Sequence, residues 1–308
     1  MDSASRNITV QSKEQKSIAE SPFHRILSDF TESRLAVCAL IVVFFVMLVA
    51  VFAPWISFQN PYDLAQIDIL DSRLPPGSKG LHGITYWLGT DDQGRDMLSA
   101  IFYGLRISLC VGVISGFLSM ALGTILGIMA AYTGGKIDAF IMRVVDLLLG
   151  IPSILIALIL LAVLGRGVDK IIIALVVRQW AYFARIVRGT ALVELNKEYI
   201  EAARCLALSS PRIVFRHLLP NCFPPLIVVS TVNVAFAIGL EATLSFLGVG
   251  LPITEPSLGL LIANGYEYML SGRYWISVYP GVALLIAVAS INIVGDRLRD
   301  ILNPRLQK

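Results

Sequence analysis

The sequence predicts an all-α membrane protein with six transmembrane helices. Its 308 residues have a mean hydropathy of +0.73. Only 15% of the residues are charged, against roughly a quarter in a soluble domain. Several uncharged segments reach the length of about 20 predominantly apolar residues that crossing a bilayer requires. These observations favour a chain that is embedded in lipid over a soluble domain.

Six segments are predicted to span the membrane. Five of them contain no charged residue, whereas the fourth along the chain, 170–188, carries Arg178 inside it. This fourth segment is accepted as a span because omitting it would reverse the sidedness of every later loop. The predicted spans are 35–56, 107–132, 147–165, 170–188, 222–240 and 274–295.

Loop charges predict the orientation of the spans. Residues 57–96 hold three basic and six acidic side chains and are predicted to lie outside, whereas residues 185–216 hold six basic and three acidic side chains and are predicted to lie inside. The basic tail is also placed inside. The predicted organisation is a cytoplasmic N-terminal segment (1–34), a first transmembrane helix (35–56), an extracytoplasmic loop (57–106), a five-helix core (107–296) containing a cytoplasmic loop (194–220), and a cytoplasmic tail (297–308).

Glycines in the second span predict close helix packing. Gly112 and Gly116 are four residues apart, as are Gly123 and Gly127. Small residues at this spacing let helix backbones approach closely where lipid supplies no hydrophobic drive.

The cytoplasmic loop is predicted to begin with a short helix. Asn196 is a suitable N-cap for it. The next apolar positions are Tyr199, Ala202, Ala203 and Leu206, which follow the i, i+3, i+4, i+7 spacing of one helix face. This face is predicted to pack either on another protein or on the chain's own bundle, and the periodicity favours neither.

A second short helix is predicted to follow after a tight bend. Ser210 and Pro211 form a favourable N-cap and N1 pair. Pro220 disfavours helical geometry at Leu219, so the helix is predicted to end there.

The loop resembles a known family at Glu201-Ala202-Ala203, followed by Leu219-Pro220. This pattern is similar to the EAA loop of binding-protein-dependent ABC importer permeases, in which the short helix docks into a groove of a separate ATPase subunit. The resemblance implies a coupling loop with the ATPase contact on Tyr199, Glu201, Ala202, Ala203, Arg204, Leu206 and Ala207. The family usually has Gly at the position of Ala207, a residue type that permits a positive φ.

Four further segments resemble the dipeptide, oligopeptide and nickel permease subfamily, and their order matches its second permease subunit (dipeptide permease C-like). They are 87–109, 143–153, 241–250 and 295–304. Residues 251–259 depart from the Pro-Pro-rich stretch with a Trp-Gly pair that is common in the family at this position.

The resemblance implies a type I ABC importer permease of the bacterial inner membrane that imports di- or oligopeptides. The implied partners are a second homologous permease subunit, two ATP-binding subunits, an extracytoplasmic substrate-binding protein and membrane lipid, with no nucleic acid. No phosphate-binding loop occurs in the sequence, because Gly134-Gly135-Lys136 is followed by Ile. The chain is therefore expected not to be an enzyme on its own and to need no cofactor, with ATP hydrolysis in a partner.

Three ionisable residues are predicted to lie in or near the spans. Asp146 is placed near the cytoplasmic end of the third span, Arg178 near mid-membrane and Glu241 towards the outer end of the fifth. Such residues usually face the interior of a helix bundle. They are expected either to pair with neighbouring helices or the partner permease, which is favoured, or to line a substrate pathway.

Other functions are weighed against this one. Nickel importers belong to the same subfamily, so nickel or another small solute is an alternative substrate. A self-sufficient secondary transporter would need its own ion-coupling site, often within an internal repeat, and the sequence has no clear repeat. A membrane-embedded hydrolase would need a catalytic pair at depth, and no such pair is found.

Overall fold

The computed structural model describes residues 22–81 and 83–302, so the first 21 residues of the predicted N-terminal segment and the last six of the predicted tail lie outside the described part. Helices dominate that part. They are α1 (Pro22–Thr31), α2 (Arg34–Ile56), α3 (Met97–Thr133), α4 (Gly135–Gly150), α5 (Ser153–Leu164), α6 (Val168–Leu195), α7 (Glu198–Cys205), α8 (Ser210–Ile213), α9 (Leu219–Phe246), α10 (Leu258–Tyr266) and α11 (Trp275–Leu302).

Shorter elements complete the chain. Strands β1 (Ser78–Lys79) and β2 (Thr85–Tyr86) pair antiparallel. A π-helical turn, Val214–Leu218, joins α8 to α9 without a break in the helix. Single 3₁₀ turns occupy Leu64–Gln66, Ile69–Asp71 and Met269–Ser271.

Each predicted span has a helical counterpart. Four continuous helical segments in the described part are long and apolar enough to cross a membrane: α2, α3, Ser210–Phe246 and α11. The pair α4 and α5 adds a fifth segment, which is bent. Helix α6 is 28 residues long, but it is less apolar because it carries Arg178, Arg185 and Arg188. The predicted all-α membrane fold is confirmed.

The third predicted span is two helices and not one. Helices α4 and α5 meet at an angle of 94°. Ile151 has extended backbone angles (φ −94°, ψ 135°) between them. The cause is Pro152, because a proline ring clashes with a helical conformation of the residue before it. Pro280 lies inside α11 without ending it.

The second predicted span begins earlier than the apolar run indicated. Helix α3 begins at Met97, ten residues before the predicted start at 107. Its N-cap is Asp96, whose Oδ2 accepts hydrogen bonds from Ser99 N at 2.9 Å and Ser99 Oγ at 2.6 Å. The first turns of α3 therefore belong to the loop at that end of the bundle.

The glycines of α3 allow the close packing that their spacing predicts. A Cβ at Gly123 would lie 2.6 Å from the Trp180 carbonyl oxygen, and one at Gly127 would lie 2.7 Å from the Ala184 carbonyl oxygen. At Gly112 the same atom would lie 2.8 Å from a side-chain carbon of Ile238. The backbones of α3 and α6 thus touch directly, and α9 packs on the neighbouring face of α3.

The loops gather at two opposite ends of the bundle, which we name the 57–96 end and the 196–209 end after the loop residues that lie there. At the 57–96 end, Trp275 Nε1 at the start of α11 donates to the Thr90 carbonyl at 3.2 Å, and Arg95 Nη1 donates to the Ile253 carbonyl at 3.4 Å. At the 196–209 end, Arg297 near the end of α11 donates to the Asp29 carbonyl of α1.

Buried polar groups order the 57–96 end. Arg95 and Asp91 form an ion pair at 2.6 Å with side chains 1% and 0% exposed. The Tyr86 hydroxyl donates to Asp71 Oδ2 at 3.0 Å, and burial together with this bond raises the pKa of Tyr86. Except for Arg95 Nη2, which is buried with no hydrogen-bond partner in the described residues, these groups satisfy each other, and the long segment between α2 and α3 folds onto the bundle end.

We expect Gly123→Ala to destabilise the protein by about 1 to 3 kcal/mol, because the added methyl group would overlap backbone atoms of α6. Thermal unfolding of the purified protein in detergent measures this. Gly239→Ala is the matched control, since no atom lies within 4 Å of a Cβ at that position in α9. Equal melting temperatures for the two variants would contradict the packing described here.

Candidate functional site

The predicted coupling loop, 194–220, starts differently from the sequence prediction. Asn196 is the C-cap of α6 and not the N-cap of α7, since its Nδ2 donates to the Leu192 carbonyl at 2.8 Å. Lys197 takes the N-cap position of α7 with no side-chain bond to the helix. Asn196 can act in this way because the last turn of α6 leaves free carbonyls that an amide group can satisfy.

Helix α7 buries a narrower face than the predicted one. Ile200 is 0% exposed and Ala203 is 4% exposed. Both belong to a hydrophobic cluster with Ile213, Leu218 and Cys222 from the following segment. Of the two packings predicted for this face, Ala203 therefore adopts the one on its own chain, together with Ile200.

The remaining predicted contact residues are exposed. Leu206 is 75% exposed, although a leucine in water loses the free energy of apolar burial. Ala202 beside it is also exposed. Phe215, on the π-turn, is 70% exposed and is not among the residues predicted from the sequence, because no helix periodicity singles it out. The other exposed members of the predicted set are Glu201, Arg204 and Ala207.

Tyr199 anchors the loop to two helices. Its hydroxyl donates to Glu194 Oε2 at 2.5 Å and accepts from Asn221 Nδ2 at 3.2 Å. Lys197 Nζ donates to the other oxygen of the same carboxylate at 2.6 Å. Burial and the bond to Glu194 raise the pKa of Tyr199 to about 12. The phenol therefore stays protonated at neutral pH and ties α7 to α6 and α9.

The bend after α7 is a Schellman motif with alanine at its left-handed position. Ala207 has φ 51°. Its N–H donates to the Arg204 carbonyl at 2.9 Å, and the Leu208 N–H donates to the Ala203 carbonyl at 3.2 Å. This bonding pattern normally uses glycine, because a Cβ is strained at positive φ. Ala207 thus adopts the geometry that glycine would.

The second helix does not end at Pro220. Its N-cap is Ser209, one residue before the predicted Ser210. The Leu219 N–H donates to the Val214 carbonyl across a π-turn, and α9 continues from Leu219 to Phe246 through Pro220. Pro220 sits at the first positions of α9, and a proline is tolerated where the helical hydrogen-bond ladder has already been interrupted. The loop is therefore joined directly to a span.

The three predicted intramembrane charges do not come together. Asp146 of α4 forms an ion pair with Arg185 of α6. Glu241 of α9 is fully buried and accepts hydrogen bonds from Ser108 Oγ at 2.7 Å and Ser245 Oγ at 2.8 Å. Arg178 forms no ion pair with a carboxylate in residues 22–81 and 83–302.

Comparison with known proteins agrees with this architecture. The family described as "Binding-protein-dependent transport system inner membrane component" matches residues 123–308. The "N-terminal TM domain of oligopeptide transport permease C" matches residues 21–76.

Named relatives are similar over most of their length. The chain is 35% identical to the dipeptide transport system permease protein DppC of Bacillus subtilis, over 90% of this chain and 84% of that protein. It is 36% identical to the oligopeptide transport system permease protein OppC of the same organism, over 91% and 88%. An inward-facing crystal structure of the MetNI methionine ABC transporter is similar with a TM-score of 0.55 and 26% identity, covering 67% of this chain and 97% of that one.

We expect Ala207→Gly to stabilise the bend by about 1 kcal/mol, because it removes the strain of alanine at positive φ. Hydrogen exchange of the Ala207 and Leu208 amides should slow roughly fivefold. Ala202→Gly is the matched control, since glycine inside α7 costs about 1 kcal/mol and should speed the same exchange. Faster exchange in Ala207→Gly would contradict the motif.

Proposed function

The chain belongs to the family of binding-protein-dependent transport system inner membrane components, and from this membership we propose that it is a permease subunit of an ATP-driven importer of di- and oligopeptides. The names of the relatives support the substrate class. The family supports ATPase and substrate-binding partners. We propose further that a second, homologous permease subunit forms the other half of the pathway within the lipid bilayer, and that ATP is hydrolysed only by the partner ATPase subunits.

The observation that carries the proposal is the exposed apolar edge of α7. Leu206 and Ala202 face away from the bundle, while Ile200 and Ala203 hold the same helix on α6 and α9. A small residue beside an exposed leucine allows close approach of another protein surface. We propose that an ATPase subunit docks on this edge, with Glu201 and Arg204 beside it and Phe215 at its border.

The anchors of the loop would transmit the motion of the ATPase. Tyr199 links α7 to Glu194 of α6 and Asn221 of α9, and the π-turn makes α8 and α9 one continuous helical segment. Since no flexible linker separates α7 from these spans, a displacement of α7 on ATP binding would move both helices. Alternating access would follow from that movement.

We propose that both chain termini are cytoplasmic and that the 57–96 end faces outward. The charge balance of the loops supports this orientation. The 196–209 end, which lies within the basic segment 185–216, would then meet the ATPases, and the binding protein would dock on the acidic 57–96 end together with residues 251–259.

We expect Leu206→Glu to remove the ATPase subunits from the purified complex, because a charge would replace the apolar contact at the centre of the interface. The measurement is copurification of the ATPase chains with the tagged permease in mild detergent. Leu270→Glu is the matched control, since Leu270 is a fully exposed leucine at the opposite end, and it should retain the ATPases. Retention in both variants would exclude α7 as the docking edge.

We expect a cysteine at Leu81 to react with a membrane-impermeant thiol reagent in intact cells, and a cysteine at Glu201 to react only after the inner membrane is opened. Both side chains are exposed, and the cells express the permease without the ATPase subunits, so accessibility reports sidedness alone. A reversed pattern would contradict the proposed orientation.

A further inference from the structure

Arg178 lies on α6 with no carboxylate partner among the residues that the structure describes. Its Nε is buried with no hydrogen-bond partner. Its guanidinium carbon lies 5.5 Å from the ring centre of Phe236 on α9. In the part of the chain that the structure describes, no acidic side chain forms an ion pair with it. By contrast, Glu241 accepts two serine hydroxyls and Asp146 pairs with Arg185.

The position of Arg178 on α6 continues into an open face. Tyr182, Arg185 and Gly189 follow it at i+4, i+7 and i+11, which is one side of a helix. Tyr182 is 39% exposed and the Arg185 side chain is 49% exposed. A Cβ at Gly189 would meet no atom within 4 Å. This side of α6 is therefore only partly covered by the rest of the chain, by Asp146 of α4 at Arg185 and by Phe236 of α9 at Arg178.

The open face leads to a cavity at the 196–209 end. The cavity has a volume of about 730 Å³, lies between α6, α9 and α11, and is lined by Gly189, Val193, Asn221 and Arg299 among others. Arg178 and Gly189 are separated by roughly 16 Å along the helix axis. Helices α6 and α9 supply both the Arg178–Phe236 contact and two of the walls of the cavity.

An unpaired guanidinium at this depth needs compensation. Charged groups in a membrane normally face a water-filled cavity or pair with an opposite charge. The Phe236 ring offsets part of the cost by a cation–π contact, worth about 0.5 to 2 kcal/mol. That contact is weaker than a permanent ion pair, and it leaves the remaining guanidinium donors for a carboxylate.

We propose that Arg178 binds the C-terminal carboxylate of the peptide during its passage, and this rests on the function proposed above. A guanidinium matches a carboxylate in a two-pronged geometry. The free carboxylate is the one anionic group that peptides share whatever their side chains. A single fixed cation can therefore act on all of them, and the Phe236 ring takes up the guanidinium again when the peptide leaves.

The test uses the complete transporter in proteoliposomes with its binding protein and trialanine as substrate, in a chain whose four native cysteines are replaced by serine. Arg178→Cys should react with the anionic reagent sulfonatoethyl methanethiosulfonate, and saturating trialanine should slow the reaction at least about fivefold. Ile125→Cys is the matched control, because Ile125 is an exposed apolar residue of α3 and should not react from water. No reaction at Arg178→Cys would overturn the proposal in favour of a buried pair with the second permease.

A charge-rescue measurement tests whether uptake requires a positive charge at residue 178. Uptake by Arg178→Gln should fall at least about tenfold while the complex stays assembled, and Arg178→Lys should keep a larger share of the uptake. Treating Arg178→Cys with the cationic aminoethyl methanethiosulfonate should restore part of the uptake, whereas the anionic reagent should not. Loss of assembly in both the Gln and the Lys variants would show a structural role and overturn the proposal.

Wild-type uptake separates this inference from the proposed function. If the wild-type complex does not take up trialanine, the proposed function fails and this inference fails with it. If the wild type and Arg178→Gln take up trialanine equally, only the role of Arg178 is excluded.

Discussion

The close approach of α3 and α6 is the constraint on which the rest of the structure depends. At Gly123 and Gly127 the backbones touch, and a single added carbon would overlap carbonyl oxygens of the other helix. Lipid tails are as apolar as leucine side chains, so helices in a bilayer associate through packing and not through exclusion from water. Helix α6 carries three arginines and would be a poor span alone. Its contact with α3 holds it in the bundle and fixes the side on which its charges lie.

This fixed helix links the bundle to the loop at the 196–209 end. The cluster that buries Ile200 and Ala203 includes Val187, Ala191 and Leu195 from the last turns of α6. The same cluster takes Leu218 and Cys222 from the start of α9. Helix α7 therefore rests on two spans that both contact α3. A force applied to the exposed edge of α7 acts on a packed unit rather than on a hinge, which is the property that coupling to an ATPase requires.

Two ionisable residues of the spans, Glu241 and Arg178, differ in whether the chain itself supplies their hydrogen-bond or charge partners. Glu241 is enclosed by serine hydroxyls from its own helix and from α3, so it joins two helices and has no access to solvent. Arg178 contacts the Phe236 ring of α9 and, among the residues that the structure describes, has no carboxylate partner. A buried group whose hydrogen bonds are all made within the chain stabilises the structure. A cation without a counter-charge can still gain free energy by binding an anion from outside the chain.

The sequence by itself determined the all-α membrane fold and the position of the loop, because long apolar runs and short motifs are local properties. It also indicated the close glycine packing. Only the tertiary structure decided that α7 buries Ile200 and Ala203, since alanines lie on overlapping faces and the neighbouring cluster selects one. The continuous path through Pro220 shows the same dependence, because the packed helices hold Leu219 in a helical conformation after the π-turn at Val214–Leu218. The break at Pro152, by contrast, follows from the local clash of the proline ring with Ile151.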